Sequence, residues 1–358
     1  MSTWPTSLLR GRPQGEPMVL RSYVDGAFRT PTATFDKRSP VTGEVVFRVA
    51  ETDRATIDKA VAAARRAQSG EWGSMGEQAR ATILRRLADE LDRRVDDLVT
   101  AEIADTGKSV EQARTLDVPR GAANLRAFAD VVAAQGTESF FTPRPGGDRA
   151  LNVAIRKPAG VVAIIVPWNL PLLLATWKIA PALACGNAVI VKPSEETPAS
   201  VTVLAEAFEA AGLPPGVFNL VHGHGPNAVG EWLTTHPGID VVTFTGESAT
   251  GSAIQKAAAD TVKAVSFELG GKNAGLVFAD ADLDAAVAGS VRSSFTNGGQ
   301  VCLCTERIYV HRSRYDEFTT RLAQQASELR CGWPDEHGIG TMPLISHEHR
   351  TKVLGYYD

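Results

Sequence analysis

The stretch "NAVIVKPSEETPAS", residues 187–200, decides the fold. Ala188–Val191 is apolar without alternation, which is the pattern of a strand buried on both faces. Lys192-Pro193-Ser194 breaks the run, and a helical pattern begins near Pro198. Similar short runs lie on both sides: "GVVAIIVPWN" (160–169), "GVFNLVHG" (216–223), "DVVTFTG" (240–246), "KAVSFELGG" (263–271) and "AGLVFADAD" (274–282). The runs ending at Ser194, Gly223 and Gly246 are each followed by a helical segment. Such alternation predicts an α/β protein with a parallel sheet wrapped by helices. Open parallel sheets bind ligands beyond the carboxyl ends of their strands, where loops and helix N-termini gather. The loops to examine are therefore PWN, KPSE, VHGHG, FTGES and ELGGK.

Upstream, "DRATIDKAVAAARRAQ" (53–68) repeats apolar residues at three and four spacings after Asp53, a capping residue. "RATILRRLADELDRRVDDLV" (80–99) places Leu84, Leu87, Leu91, Val95 and Leu98 on one face, predicting one amphipathic surface helix. "FFTPRPGGDRALNVAIRKPAG" (140–160) is a Pro/Gly-rich break with an alternating segment inside it, and predicts a protruding hairpin.

The 358 residues are 44% hydrophobic and 22% charged, enough for one large core or two smaller ones, and two domains are expected. A net charge of −4 supplies no cationic field for a phosphate backbone, so no nucleic-acid partner is expected. The first residues hold no apolar core of secretory length and no stretch approaches a membrane span, so the expectation is a cytoplasmic protein without a membrane partner.

Four cysteines, Cys185, Cys302, Cys304 and Cys331, are too few and scattered for a disulfide framework. In "GGQVCLCTER" (298–307) a Cys-x-Cys offers neither the ligand count of a zinc site nor the two-residue spacing usual in a redox pair, and no metal is expected.

Single motifs each admit two readings. Gly246 and Gly251 in "VVTFTGESATG" suit a phosphate at a helix N-terminus, although the same turn occurs in folds without a cofactor. Glu195 suits ribose hydroxyls and would repel a 2′-phosphate, favouring NAD, or is simply a capping carboxylate. Glu268 ends a strand before Gly-Gly. In apolar surroundings it would keep its proton longer, as a general base needs; otherwise it is an exposed strand end. Asn169, between two prolines, is either an aimed oxyanion donor or a turn asparagine.

Taken in order, PWN, KPSEETP, FTGESATG, FELGGKN and GGQVC resemble the aldehyde dehydrogenase superfamily. The ELGGK and Gly-Gln-x-Cys segments are its specific signatures, with "SPVTGEVV", "DTGKS" and "WKIAPALACGNAVIVKPS" in support. The resemblance runs from about Tyr23 to the last residue. It implies a Rossmann-like NAD-binding domain over 1–139 and 157–268, an oligomerisation hairpin over 140–156, and an incomplete α/β catalytic domain over 269–358. It implies Cys302 as nucleophile, Glu268 as the base that activates water, Asn169 as oxyanion donor and Lys178 near the active-site amide. NAD would contact Val166, Pro167, Trp168, Lys192, Ser194, Glu195, Gly225, Phe244, Thr245, Gly246, Ser248, Leu269 and Gly270. Glu247 departs from the small hydroxyl residue many members carry, and should point away from the pyrophosphate.

"FTGES", "SFELGGKNAGLVFADADLD" and "QVCLCTERIYV" together resemble the 2-hydroxymuconic and 2-aminomuconic semialdehyde dehydrogenase branch. Arg120, in "LDVPRGAANLRAF", matches that branch's substrate arginine; alternatively it is a surface residue at a helix start. A guanidinium grips a carboxylate in two places, as a carboxylated semialdehyde would require. The resemblance further implies a homo-oligomer, dimer or tetramer, for full-length members. Family members continue past this chain's last residues with a Glu-x-Phe-Gly-Pro motif that does not occur after Cys302. The expectation is a C-terminally truncated chain with exposed apolar surface: an NAD-dependent aldehyde-oxidising enzyme, or a catalytically silent protein with a binding or structural role.

Overall fold

The computed structural model describes residues 4–357; residues 1–3 and 358, on which the expected outer domain limits fall, lie outside the described residues. Ala188–Lys192 is a strand buried at every position. It pairs in parallel with Val161–Ile165 on one side and Phe218–Leu220 on the other. Val241–Thr245 joins the free side of Val161–Ile165, and Ala264–Glu268 forms the edge beyond it. At the opposite edge Tyr23–Val24 and Ala27–Phe28 add in antiparallel fashion, making seven strands.

The chain thus crosses from residue 161 through 188 to 218 in one direction, then returns to the other side of its starting strand. That reversal lies between Val161–Ile165 and Val241–Thr245, where open parallel sheets leave a crevice at the carboxyl ends. Burial on both faces holds for the three central strands. In Ala264–Glu268 alternate residues are exposed, because the edge strand's Ser266 and Glu268 open on a groove.

Helix Arg54–Ser69 starts where expected, with the Asp53 carboxylate accepting from the Thr56 N–H at 2.7 Å. Ala199–Ala210 follows Pro198. A further crossover helix, Pro171–Ala184, sits between the Val161 and Ala188 strands. Its Pro171 occupies the first helical position, where the missing N–H breaks no bond. The single helix expected over 80–99 is instead two, Glu77–Arg93 and Val95–Thr106, meeting at Arg94. The cause is burial. Leu84, Leu87 and Leu91 line one face of the first helix, whereas every residue from Asp97 to Thr106 is buried, so the second must turn inward.

The hairpin forms from Glu138–Pro143 and Arg149–Ala154, two residues earlier than expected, with Phe140, Phe141, Leu151 and Val153 exposed. A three-stranded sheet of Met18–Leu20, Thr34–Arg38 and Val45–Ala50 adjoins the helical part. The last segment pairs Asn273–Val277 in parallel with Thr305–Val310, and helices Leu283–Phe295 and Tyr315–Ser327 pack over a small core of Val277, Leu283, Val287 and Phe318. Leu276, Phe278 and Tyr309 there are exposed. No helix among the described residues is long and apolar enough to cross a membrane.

His222, beyond the Phe218–Leu220 strand, is fully buried; burial, with nearby Lys192, lowers its pKa from 6.5 to about 3. Above pH 6.5 the ring is neutral in both folded and unfolded chains. Below it the unfolded chain takes up a proton that the folded one refuses, costing about 1.4 kcal/mol of stability per pH unit. This loss continues as the pH falls towards 3. His222→Gln should therefore flatten the decline in urea midpoint between about pH 6 and 4; an unchanged slope would place the acid sensitivity elsewhere.

Candidate active site

The cysteine loop begins where helix Leu283–Phe295 ends. Asn297, Gly298 and Gly299 are three consecutive left-handed residues, at φ 58°, 66° and 74°. Glycine takes this conformation without cost and asparagine tolerates it. A Cβ on Gly298 would also lie 3.1 Å from the Met342 carbonyl oxygen. The reversal separates the two thiols: Cys302 is exposed and Cys304 buried. Burial raises the Cys304 pKa, and its Sγ lies 3.8 Å from the Thr296 carbonyl oxygen. Asn273, at the start of its strand, donates from Nδ2 to the Cys302 carbonyl at 2.6 Å and to that of Cys304 at 3.0 Å.

Asn169 follows the Val161–Ile165 strand, whose pairing extends one residue through the Val166 N–H to the Lys192 carbonyl at 3.1 Å. The Asn169 Nδ2 donates to the Gln300 carbonyl at 2.8 Å, which sets the amide against the Gly-Gln-x-Cys loop. One of its two N–H bonds is thus committed and the other left over. Gln300 is itself buried, donating to the Pro343 carbonyl at 3.2 Å and accepting from the Ile345 N–H at 3.1 Å. Asn297 Nδ2 donates to the Asn169 carbonyl at 3.1 Å. Beneath them Lys108 Nζ, fully buried, lies 3.1 Å from Glu102, 2.6 Å from Asp117 and 3.5 Å from the Asn169 carbonyl oxygen.

Glu268 and Lys178 share a groove of about 300 Å³ with Trp177, Thr243 and Ser266. Lys178 Nζ donates to Thr243 Oγ1 at 2.9 Å; burial lowers its pKa against the opposing pull of Glu268. The apolar enclosure entertained for Glu268 is not what the structure has: the side chain is exposed at the sheet edge. No hydrogen bond among the described residues joins it to Cys302. Only residues 269–272 separate it from Asn273, which grips the cysteine loop.

On the other side of the reversal point, Lys192 is buried and 3.3 Å from the Glu195 carboxylate. Burial lowers the Lys192 pKa, and Glu195 opposes it. For Glu195 burial acts upward, but Lys192 and hydrogen bonding hold the carboxyl below its ordinary value. Ser194 Oγ accepts from the Glu196 N–H at 3.2 Å, and the Gly225 carbonyl accepts from the Glu231 N–H at 3.1 Å. A Cβ on Gly246 would lie 2.4 Å from the Phe244 ring, so any larger residue at the turn would have to displace that ring. Helix Ser248–Ala259 then starts with no side-chain cap, leaving first-turn N–H groups for an anion. Glu247 turns its carboxylate to Lys352. Next to the turn, the buried Thr245 Oγ1 has no hydrogen-bond partner among the described residues. Trp168, after Pro167, meets the His349 ring edge-on at 4.7 Å. Leu269 packs by Gly251, while a Cβ on Gly270 would meet open space.

Arg120 lies on helix Val118–Ala134, one turn before Asn124 and two before Phe128. Asn124 donates to the Leu173 carbonyl and Thr176 Oγ1, and Phe128 meets Trp177 edge-on at 6.0 Å. Gly121 abuts Leu172. The two helices run alongside in the same sense, which brings Arg120 level with Asn169–Leu172. It is exposed and makes no ion pair or hydrogen bond among the described residues.

A model of the aldehyde dehydrogenase family matches residues 28–358. The chain belongs to this family. It is 54% identical over 338 residues to the 2-aminomuconic 6-semialdehyde dehydrogenase of a Pseudomonas species, covering 94% of this chain and 69% of that one. It is 53% identical to the 2-hydroxymuconic semialdehyde dehydrogenase of Pseudomonas sp. strain CF600, covering 94% and 70%. The chain therefore spans about 69% of the length of such aldehyde dehydrogenases. A crystal structure of Staphylococcus aureus betaine aldehyde dehydrogenase in complex with NAD+ superposes with a TM-score of 0.90 at 36% identity, over 95% of this chain and 67% of that one. Three residues that contact the Asn169 and cysteine loops were not singled out in the sequence: Lys108, Asn273 and Asn297. Lys108 and Asn273 lay inside the quoted DTGKS and FELGGKN, but the contacts that tie these three residues to the site, to Asn169 or to the cysteine loop, span 29 to 128 residues.

Proposed function

We propose that this chain oxidises an aldehyde bearing a distal carboxylate, such as 2-hydroxymuconic semialdehyde, to the carboxylic acid with NAD. The observation that carries the reading is the Asn169 amide held 2.8 Å from the Gln300 carbonyl, beside a loop that exposes Cys302 and shields Cys304. The two covalent steps that fall to the chain are making and breaking a carbon–sulfur bond at Cys302. Attack by its thiolate puts negative charge on the aldehyde oxygen, which the remaining Asn169 N–H and the Cys302 main-chain N–H would receive. When bound, NAD supplies the acceptor for the hydride. Water then releases the acid from the resulting thioester, its proton taken by Glu268.

The residues present fit the dinucleotide. An uncapped helix N-terminus, the Gly246 cradle and the unpartnered Thr245 hydroxyl suit a pyrophosphate. Glu195 beside Lys192 suits ribose hydroxyls and disfavours a 2′-phosphate, hence NAD. Glu247 would be repelled by the same phosphates, and its pairing with Lys352 removes it as an obstacle. Lys178 would stand near the amide from the Glu268 side. We assign residues 1–139 and 157–268 to nucleotide binding, 269–358 to the catalytic part, and the exposed apolar hairpin to assembly of a homodimer or homotetramer in the cytoplasm.

Nicotinamide absorbance with a carboxylated and an uncarboxylated aldehyde tests the substrate class. Arg120→Ala should raise KM for the carboxylated aldehyde by about 10- to 100-fold, the worth of a charge-assisted pair. It should leave the uncarboxylated aldehyde unaffected. Equal effects on both would remove Arg120 and the distal carboxylate from the proposal; no NADH with either aldehyde would remove the oxidation itself.

A further inference from the structure

We propose that Lys108 is a positioning residue for both halves of the oxyanion site, acting through the main-chain carbonyl of Asn169 and the Asn297 bridge. This deepens, and rests on, the reading of Asn169 as an oxyanion donor. Lys108, Glu102 and Asp117 are all fully buried. Their three side chains form one cluster, with Lys108 Nζ 3.1 Å from Glu102 Oε1 and 2.6 Å from Asp117 Oδ2. The third direction of the ammonium faces the Asn169 carbonyl at 3.5 Å.

A second path leaves the same cluster. Gln112 Nε2 lies 3.4 Å from Asp117 Oδ2 and donates to Asn297 Oδ1 at 2.9 Å. Asn297 in turn donates to the Asn169 carbonyl at 3.1 Å and lies 3.5 Å from the Gln300 carbonyl oxygen, which the Asn169 amide also contacts. One cation therefore sits behind a closed set of contacts around both the amide and the Gly-Gln-x-Cys loop.

Stability does not account for such a cluster. Taking three ionic groups out of water costs more than their attraction commonly returns, and apolar replacements of similar volume are often neutral or stabilising. Here the cost is visible, since Glu102 Oε2 and Asp117 Oδ1 have no hydrogen-bond partner among the described residues. Burial opposes the Lys108 charge, but Glu102 and then Asp117 more than reverse this, holding its pKa above the ordinary value. An ammonium that stays charged attracts a carbonyl oxygen over a longer reach than a neutral donor, and it does so in a low-dielectric interior. Its effect is to fix the plane of the Asn169 peptide, and with it the direction of the amide side chain.

The test compares two reactions of Cys302 that need no NAD. Acylation by p-nitrophenyl acetate passes through a tetrahedral oxyanion and releases nitrophenolate; alkylation by iodoacetamide displaces iodide from a saturated carbon and forms no oxyanion. The variant is the neutral triple Glu102→Gln, Lys108→Met, Asp117→Asn, which leaves no buried charge alone. Acylation should fall on the order of 100-fold, as misplacement of a reacting group does, with alkylation unchanged within about twofold. Adding Asn169→Ala should then cost less than about threefold more, although the same substitution in the parent costs about 100-fold or above. If acylation and alkylation fall together, or if the two effects multiply, Lys108 is structural support only and the proposal fails. If the parent is not acylated, or Asn169→Ala leaves its acylation intact, the oxyanion reading fails first and takes Lys108 with it.

Discussion

Cys302→Ser should lower aldehyde-dependent NADH formation by about 1000-fold or more, with the fold unchanged. The exchange alters one exposed atom, so no packing is lost. A serine hydroxyl is far harder to ionise than a thiol. No histidine or other base among the described residues is hydrogen-bonded to the Cys302 side chain to take its proton. Cys304→Ser is the control. Its sulfur is buried against Thr296, and burial keeps it protonated, so turnover should stay within about threefold of the parent. Comparable losses in both variants would mean that exposure of Cys302 is not what makes it the nucleophile.

Glu268→Gln should separate the two halves of the reaction. Attack and hydride loss need no base at this position, whereas thioester hydrolysis does, and a positioned base contributes about 100- to 10,000-fold. Rapid mixing should therefore show a burst of roughly one NADH per Cys302, followed by a steady rate slower by that factor. A lost burst would assign Glu268 to the first half, and an undiminished steady rate would move the base elsewhere. Glu268 is exposed on its groove with Lys178, five residues ahead of the Asn273 that grips the cysteine loop.

Much of this arrangement was legible before any coordinates. Strands such as Ala188–Lys192 announce themselves because burial on both faces tolerates no polar alternation. The Asp53 cap and the hairpin were equally plain, being local. Pro171–Ala184 was less so, since Pro171 and Pro181 disguise a helix whose start suits proline. The break at Arg94 was invisible because leucine spacing continues across it, and only the depth of the second helix forces the turn. At the site, the loops could be named in order, but the contacts between them could not. Glu247 with Lys352 spans 105 residues, Asn273 with Cys302 29, and Lys108 with Asn169 61. No periodicity reports on pairs so distant. The Lys108 ammonium in particular looked like any other lysine following a glycine.

The three left-handed residues before Gln300 carry a consequence for how this loop can vary. Most side chains pay about 1–2 kcal/mol in that conformation. Three such penalties in succession, about 3–6 kcal/mol, are comparable with the lower end of an ordinary domain's stability. A saturation library over 297–299 should therefore retain little beyond glycine and asparagine, even when survivors are sorted for soluble protein rather than turnover. The same library over 303, where Leu303 is 79% exposed, should be nearly flat. Evolution can retune the chemistry around the sulfur by exchanging its exposed neighbours, while the bend that presents it stays frozen.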